Sequence, residues 1–138
     1  LGLTYYAEQG SGAFLNQQAI NVSDCRQLDE ATVLAAKPAL DAQNWRLPLP
    51  AGLQRRHKPS LAYRMALVAQ GEFDAMITLR DTWDWDICAG ALIAAEAGAR
   101  VSDKAGNPLS FNRSEVTSSG VLVASPPLHQ QFKDALDL

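Results

Sequence analysis

The sequence predicts a mixed α and β fold, and two observations lead there. Its first half consists mainly of short strand-like runs separated by turn residues, whereas in its second half strands alternate with helices. With 138 residues, 47% of them hydrophobic, the chain can bury a core of its own, so residues 1–138 are read as a single domain. No repeat of fixed period and no low-complexity tract interrupts it.

Leu1-Gly2-Leu3-Thr4-Tyr5-Tyr6 reads as a strand already under way, and the chain is therefore expected to be part of a longer one. Residues 3–7, 13–15 and 19–22 predict a meander. Gly10-Ser11-Gly12 lies between two of these runs and opens no helix, so it reads as a hairpin turn rather than a phosphate cradle. The continuous apolar run 31–36 is a buried strand ended by Pro38, residues 39–45 a short helix, and the stretch with Pro48 and Pro50 a loop. Residues 53–57 alternate weakly, as an edge strand does. The basic run Arg55-Arg56-His57-Lys58 reads as a solvated face, with no catalytic role for His57.

Ser60 is a natural N-cap for a helix with Leu61, Met65, Leu67, Val68 and Ala69 on its apolar positions and Gly71 at its end. A strand over 73–79 and a loop over Arg80-Asp81-Thr82 follow. The helix over 87–97 is apolar nearly all round, which predicts burial on most faces, and Ala89, Gly90 and Ala91 allow close approach. Gly98 closes it. Then come a strand at 99–102, a turn at 103–107, a polar loop, a buried strand at 120–125 and a terminal helix at 126–138, with Leu128, Phe132 and Leu136 four residues apart.

The chemistry concentrates at Thr82-Trp83-Asp84-Trp85-Asp86. Asp84 or Asp86 stands where an N-cap belongs, so a carboxylate and the free N–H groups of a first helical turn face the same space. Such a corner can hold a cation and an anion together. Trp83 and Trp85 read as packing anchors and Glu96 as a partner for a backbone or basic group. The formal charge of −3 and the lack of a long Lys/Arg block argue against a nucleic-acid polymer or an anionic membrane as partner. No membrane-length apolar run and no export signal is seen, so a cytoplasmic location is expected, with Cys25 and Cys88 as free thiols.

Trp85-Asp86-Ile87-Cys88-Ala89-Gly90-Ala91-Leu92-Ile93-Ala94-Ala95-Glu96-Ala97-Gly98 resembles the W-D-x-x-A-G-x-x-I-x-x-E-A-G signature of the inositol monophosphatase family of magnesium-dependent, lithium-sensitive phosphatases, matching at each specified position. Gly10-Ser11-Gly12-Ala13-Phe14-Leu15-Asn16 resembles the family's G-x-G-A-x-x-N turn, and Ser60 through Asp74-Ala75 its S-x-x-x-x-x-x-x-V-A-x-G-x-x-D-A segment. The similarity covers nearly the whole chain but only the second half of a family member. It implies the C-terminal half of a layered αβαβα sandwich, contributing the second sheet and its helices.

The resemblance further implies phosphomonoester hydrolysis by magnesium-activated water, with Asp86 as a Mg2+ ligand. Ser60 and Thr82 would lie on the side of a small phosphorylated substrate. The family's other metal ligands come from an upstream glutamate segment and a D-P-x-D-G-T motif, neither of which occurs here, so no catalytic residue is assigned and the chain alone is expected to be inactive. In the inositol-specific branch a glutamate stands six residues ahead of the W-D pair, where this chain has Leu79. Thr82-x-Asp84-Trp85-Asp86 is similar to the T-x-E-W-D of bisphosphate nucleotidases, which act on adenosine 3',5'-bisphosphate, although their Y-P-R segment is absent. The alternative is a truncated, non-catalytic binding or assembly module. If the chain is expressed alone, its missing neighbour leaves an apolar face uncovered, which predicts self-association or a partner.

Overall fold

The computed structural model describes residues 2–136; the calls on Leu1 and on the last two residues of the terminal helix lie outside them. Strands β1 (Tyr5–Ala7), β2 (Ala13–Leu15) and β3 (Gln18–Ile20) form the expected antiparallel meander. Strands β4 (Thr32–Leu34), β5 (Gln54–Arg56), β6 (Ala75–Trp83), β7 (Arg100–Ser102) and β8 (Thr117–Ala124) form a five-stranded sheet of order β5-β4-β6-β8-β7. The β4 strand runs parallel to β5 and β6, while β8 is antiparallel to β6 and β7. The middle strand is therefore β6, and β5 is an edge.

Strand alternation explains how the helices are arranged. Val33, Ala75, Ile77, Leu122 and Ala124 point to one face of the large sheet, where α3 (Pro126–Ala135) seats Leu128 and Phe132. Leu34, Met76, Val121 and Val123 point to the other, where α1 (Leu61–Ala69) and α2 (Asp84–Glu96) lie. On the far side of α2, the small sheet packs through Ala13, Ala7 and Ile20. The mixed α and β class holds, as a stack of small sheet, helix pair, large sheet and helix. None of the helices among the described residues is long and apolar enough to cross a membrane.

Five expectations need correction, three in the fold and two at the site. The loop placed at Arg80-Asp81-Thr82 is strand: β6 continues to Trp83, with an irregularity between Thr78 and Asp81, because Asp81, Thr82 and Trp83 pair with Ser119, Ser118 and Thr117. Residues 39–45 form no α-helix. Instead two 3-10 turns, Lys37–Leu40 and Ala42–Asn44, bring Trp45 under α3, where its ring lies 6.0 Å from Phe132 and its Nε1 donates to Ala39 O at 3.0 Å. The buried face of α2 is the single stripe Ile87, Gly90, Ala91 and Ala94, spaced three and four apart. Cys88, Ala89, Leu92 and Ala95 are exposed, and no other described residue covers them. The other two corrections, the N-cap and the tryptophans, belong to the site.

Candidate functional site

Helix α2 begins at Asp84, immediately after β6, with Trp83 at the N-cap and no side-chain cap. Neither aspartate caps the helix, contrary to expectation. The reason is the sheet: Asp84 N–H donates to Val116 O at 2.8 Å, so the chain is still tied to the neighbouring strand when the helix starts, and both acids fall in the first turn. Asp84 Oδ1 accepts from Ser118 Oγ at 3.2 Å. Asp86, by contrast, is exposed and makes no side-chain hydrogen bond among the described residues. In that position an acid still favours the helix dipole, yet its oxygens remain free to ligate.

Trp83 and Trp85 are not packing anchors. Their rings stack on each other, centroids 4.6 Å apart and planes 9° from parallel, and they are 48% and 65% exposed. Helical geometry accounts for Trp85, which precedes Ile87 by two residues and so points about 200° away from the buried stripe.

Asp86, Ser60 and Thr82 line one cavity of about 770 Å3, whose walls come from the start of α1, the second half of β6, the first turn of α2 and the 3-10 segment. The three predicted positions are thus brought together. Ser60 does cap α1: its Oγ accepts from Tyr63 N–H at 3.3 Å, and its backbone takes φ 68°, an uncommon conformation for serine. Thr82 is buried, and its hydroxyl donates to Ser118 O at 3.5 Å, which directs it to the sheet. Leu79, where the inositol-specific branch has glutamate, also faces the cavity.

Arg64, Arg80 and His57 line it too, and sequence reasoning assigned none of them a role. His57 is exposed and pairs locally, accepting from an Arg64 guanidinium nitrogen at 2.9 Å. One signal in the sequence pointed to Arg64. It interrupts the apolar stripe Leu61, Met65, Val68 at a position that should be buried.

The donor set fits a hard cation such as magnesium only in part. Asp86 offers free carboxylate oxygens to the cavity, but among the described residues no group of three His, Cys, Asp or Glu side chains converges on a metal position. Residues of this chain can hold one side of such a site. A separate polar hollow of about 340 Å3, between Asp81, Asp103, Arg113 and Glu115, contains none of the three predicted residues.

The sequence profile of the inositol monophosphatase family matches residues 1–136. The chain belongs to that family. It is 34% identical over 125 residues to a fructose-1,6-bisphosphatase/inositol-1-monophosphatase of Thermotoga maritima, covering 88% of this chain and 48% of that protein. It is 32% identical to the 3'(2'),5'-bisphosphate nucleotidase CysQ of Aggregatibacter actinomycetemcomitans, covering 83% and 45%. Among solved structures, a Thermotoga maritima IMPase superposes with a TM-score of 0.77 at 28% identity, over 95% of this chain and 50% of that one. Inositol monophosphatase II of Staphylococcus aureus, at 22% identity and TM-score 0.79 over 96% and 49%, shares the fold. The chain thus spans about half the length of these relatives.

Proposed function

We propose that residues 1–138 are one unit, the C-terminal part of a magnesium-dependent phosphomonoesterase that acts on a small phosphorylated metabolite, inositol monophosphate or adenosine 3',5'-bisphosphate. The observation that carries this reading is the Asp86 carboxylate, free of hydrogen bonds among the described residues and set in the same cavity as Ser60 and the start of α1. Relatives described as phosphatases of inositol phosphate, fructose bisphosphate and nucleotides support the reaction class.

Bound magnesium would polarise the phosphate and lower the pKa of a water. The chain's own contribution is positional. Asp86 would hold the ion from one side, the N–H groups of the first turn of α2 favour nearby negative charge, and the start of α1 walls the substrate space. Thr82 would act on the substrate side by fixing β6 to β8, its hydroxyl being turned toward Ser118. A cytoplasmic location, and self-association through the bare side of α2, complete the reading.

A second reading, a binding or assembly module without catalysis, is favoured by one observation: among the described residues no group of three His, Cys, Asp or Glu side chains converges on one point, whereas a metal site needs several ligands. Magnesium-dependent phosphate release from inositol 1-phosphate and adenosine 3',5'-bisphosphate separates the two. Under the first, the protein carrying this chain releases phosphate and Asp86→Asn lowers the rate about a hundredfold or more. Unchanged activity in that variant removes Asp86 from the site, and no release from any phosphomonoester leaves the binding module.

A further inference from the structure

Every residue of β6 from Ile77 to Trp83 borders the large cavity. A regular strand turns only every second side chain to one face. The exception comes from a β-bulge. Thr78 pairs with Val121 and Asp81 with Ser119, so a step of three residues on β6 meets a step of two on β8, and Leu79 and Arg80 together oppose Gly120. Residues directly opposite each other share a face of the sheet. Before the bulge, Ile77 and its partner Leu122 face α3. Beyond it, Asp81 lies with Ser119 on the face of Val121, which is that of α1 and α2. A strand that kept its alternation would turn Asp81 and Trp83 toward α3 instead.

One side chain from outside the strand grips this bulge. Lys104 Nζ donates to the Leu79 carbonyl at 3.3 Å. Lys104 belongs to the turn after β7, and its own backbone N–H donates to Ser119 O at 3.0 Å, next to the bulge. Gly120 makes room for it. Its φ is 75°, and a Cβ there would lie 2.7 Å from Thr78 O and 3.0 Å from Lys104 Cβ. Lys104 itself is half-buried and stands outside the cavity, so its effect there passes through the backbone at Leu79.

We propose that Lys104 is a positioning residue for the phosphatase reaction: by holding the Leu79 carbonyl it fixes the bulge that presents Leu79, Arg80 and Asp81 to the substrate space. The proposal rests on the phosphatase reading above. An ammonium suits the task, because a hydrogen bond from a charged donor is stronger than one between neutral groups. The head of α2 is fixed separately, by Asp84 N–H on Val116 O and by Ser118 Oγ on Asp84 Oδ1. Lys104 therefore governs how the substrate is received and leaves Asp86 where it stands. That division separates KM from kcat.

The test compares Lys104→Met, which keeps the reach of the side chain and loses the donor, with Lys104→Arg, which keeps the charge and the donor. The protein carrying this chain is assayed with magnesium on inositol 1-phosphate and adenosine 3',5'-bisphosphate. For the substrate turned over, Lys104→Met should raise KM about fivefold while kcat stays within about twofold of wild type, and Lys104→Arg should restore KM. An unchanged KM in Lys104→Met, a fall in kcat alone, or no rescue by arginine overturns the proposal. Hydrogen exchange read by mass spectrometry gives a second measurement that needs no turnover. Amides of residues 78–82 should exchange about tenfold faster in Lys104→Met and return to the wild-type rate in Lys104→Arg, with α1 and α3 unchanged. Equal exchange rates overturn the proposal even in an active phosphatase. If neither substrate releases phosphate while exchange behaves as expected, the phosphatase reading fails and the hold of Lys104 on the bulge stands.

Discussion

The Glu96 carboxylate accepts a hydrogen bond from the backbone N–H of Gly12 at 2.9 Å, joining the last turn of α2 to a hairpin turn 84 residues earlier. The N–H groups of Gly12, Gly10 and Ser11 surround it and hold its pKa below the ordinary value of 4.5. Gly12 makes this possible by taking φ 87°, which opens the turn toward the helix. Since the folded-state pKa is depressed, the contact stabilises the fold above the ordinary value of 4.5, and that stabilisation is lost as pH falls through the folded-state value. Melting temperatures of Glu96→Gln should therefore be lower than wild type at neutral pH and converge with it in acid. A constant difference across that range would show that charge plays no part.

Gly90 is where the two central helices touch. A Cβ there would lie 2.9 Å from Met65 Sδ and 3.0 Å from Met65 Cβ, and the second of these belongs to the rigid base of the side chain. Alanine gains helix propensity but overpacks the crossing, so Gly90→Ala should be destabilising by about 1–2 kcal/mol net in urea unfolding. A double-mutant cycle with Met65→Ala should show coupling between the two sites. Additive effects would assign the clash to the Met65 Cβ, which alanine retains, and not to the thioether.

His129 on α3 is 1% exposed, and its Nε2 lies 2.6 Å from Ser102 Oγ. The serine hydroxyl donates to Asp103 O, so the imidazole donates through Nε2 and leaves Nδ1 buried without a partner among the described residues. Burial, with Arg100 and Lys133 nearby, pushes the pKa down from 6.5 to about 4. Protonation thus favours the unfolded chain. Stability is complete above pH 6.5 and declines as pH falls from there to about 4, by up to about 3 kcal/mol. His129→Gln should flatten the profile of unfolding free energy in that window. A wild-type profile already flat between pH 7 and 4.5 would contradict the assignment.

Trp85 and Leu92, both exposed, lie on the side of α2 left bare among the described residues. Sedimentation velocity should find the wild-type chain in self-associated species, shifted toward monomer by Trp85→Ser with Leu92→Glu. A monodisperse wild-type monomer at high concentration would count against self-association through this face.

The sequence was most informative where chemistry and local geometry coincide. The signature from Trp85 to Gly98 located the head of α2, and Glu96 met the backbone partner expected of it. Ser60 caps α1 because cap chemistry depends on neighbours in the chain. What failed depended on distant residues. Arg80, Asp81 and Thr82 look like a polar loop until β8 supplies Ser118 and Ser119 as partners, and the same strand ties down Asp84 and moves the N-cap to Trp83. Arg64 left one local trace, the break in the apolar stripe of α1, but its place in the cavity beside Arg80 is a property of the fold that no local pattern encodes.

Because β6 passes into α2 without an intervening loop, Asp86 is mounted on the middle strand of the five-stranded sheet. The backbone that carries the carboxylate is thereby fixed before anything binds. An ion or phosphate arriving at the cavity does not have to freeze a mobile segment, so the entropy lost on binding falls mainly on the ligand. The same mounting means that substitutions deep in the sheet, at Ile77 or Leu122, would be transmitted to the carboxylate as small displacements rather than damped by a flexible connection.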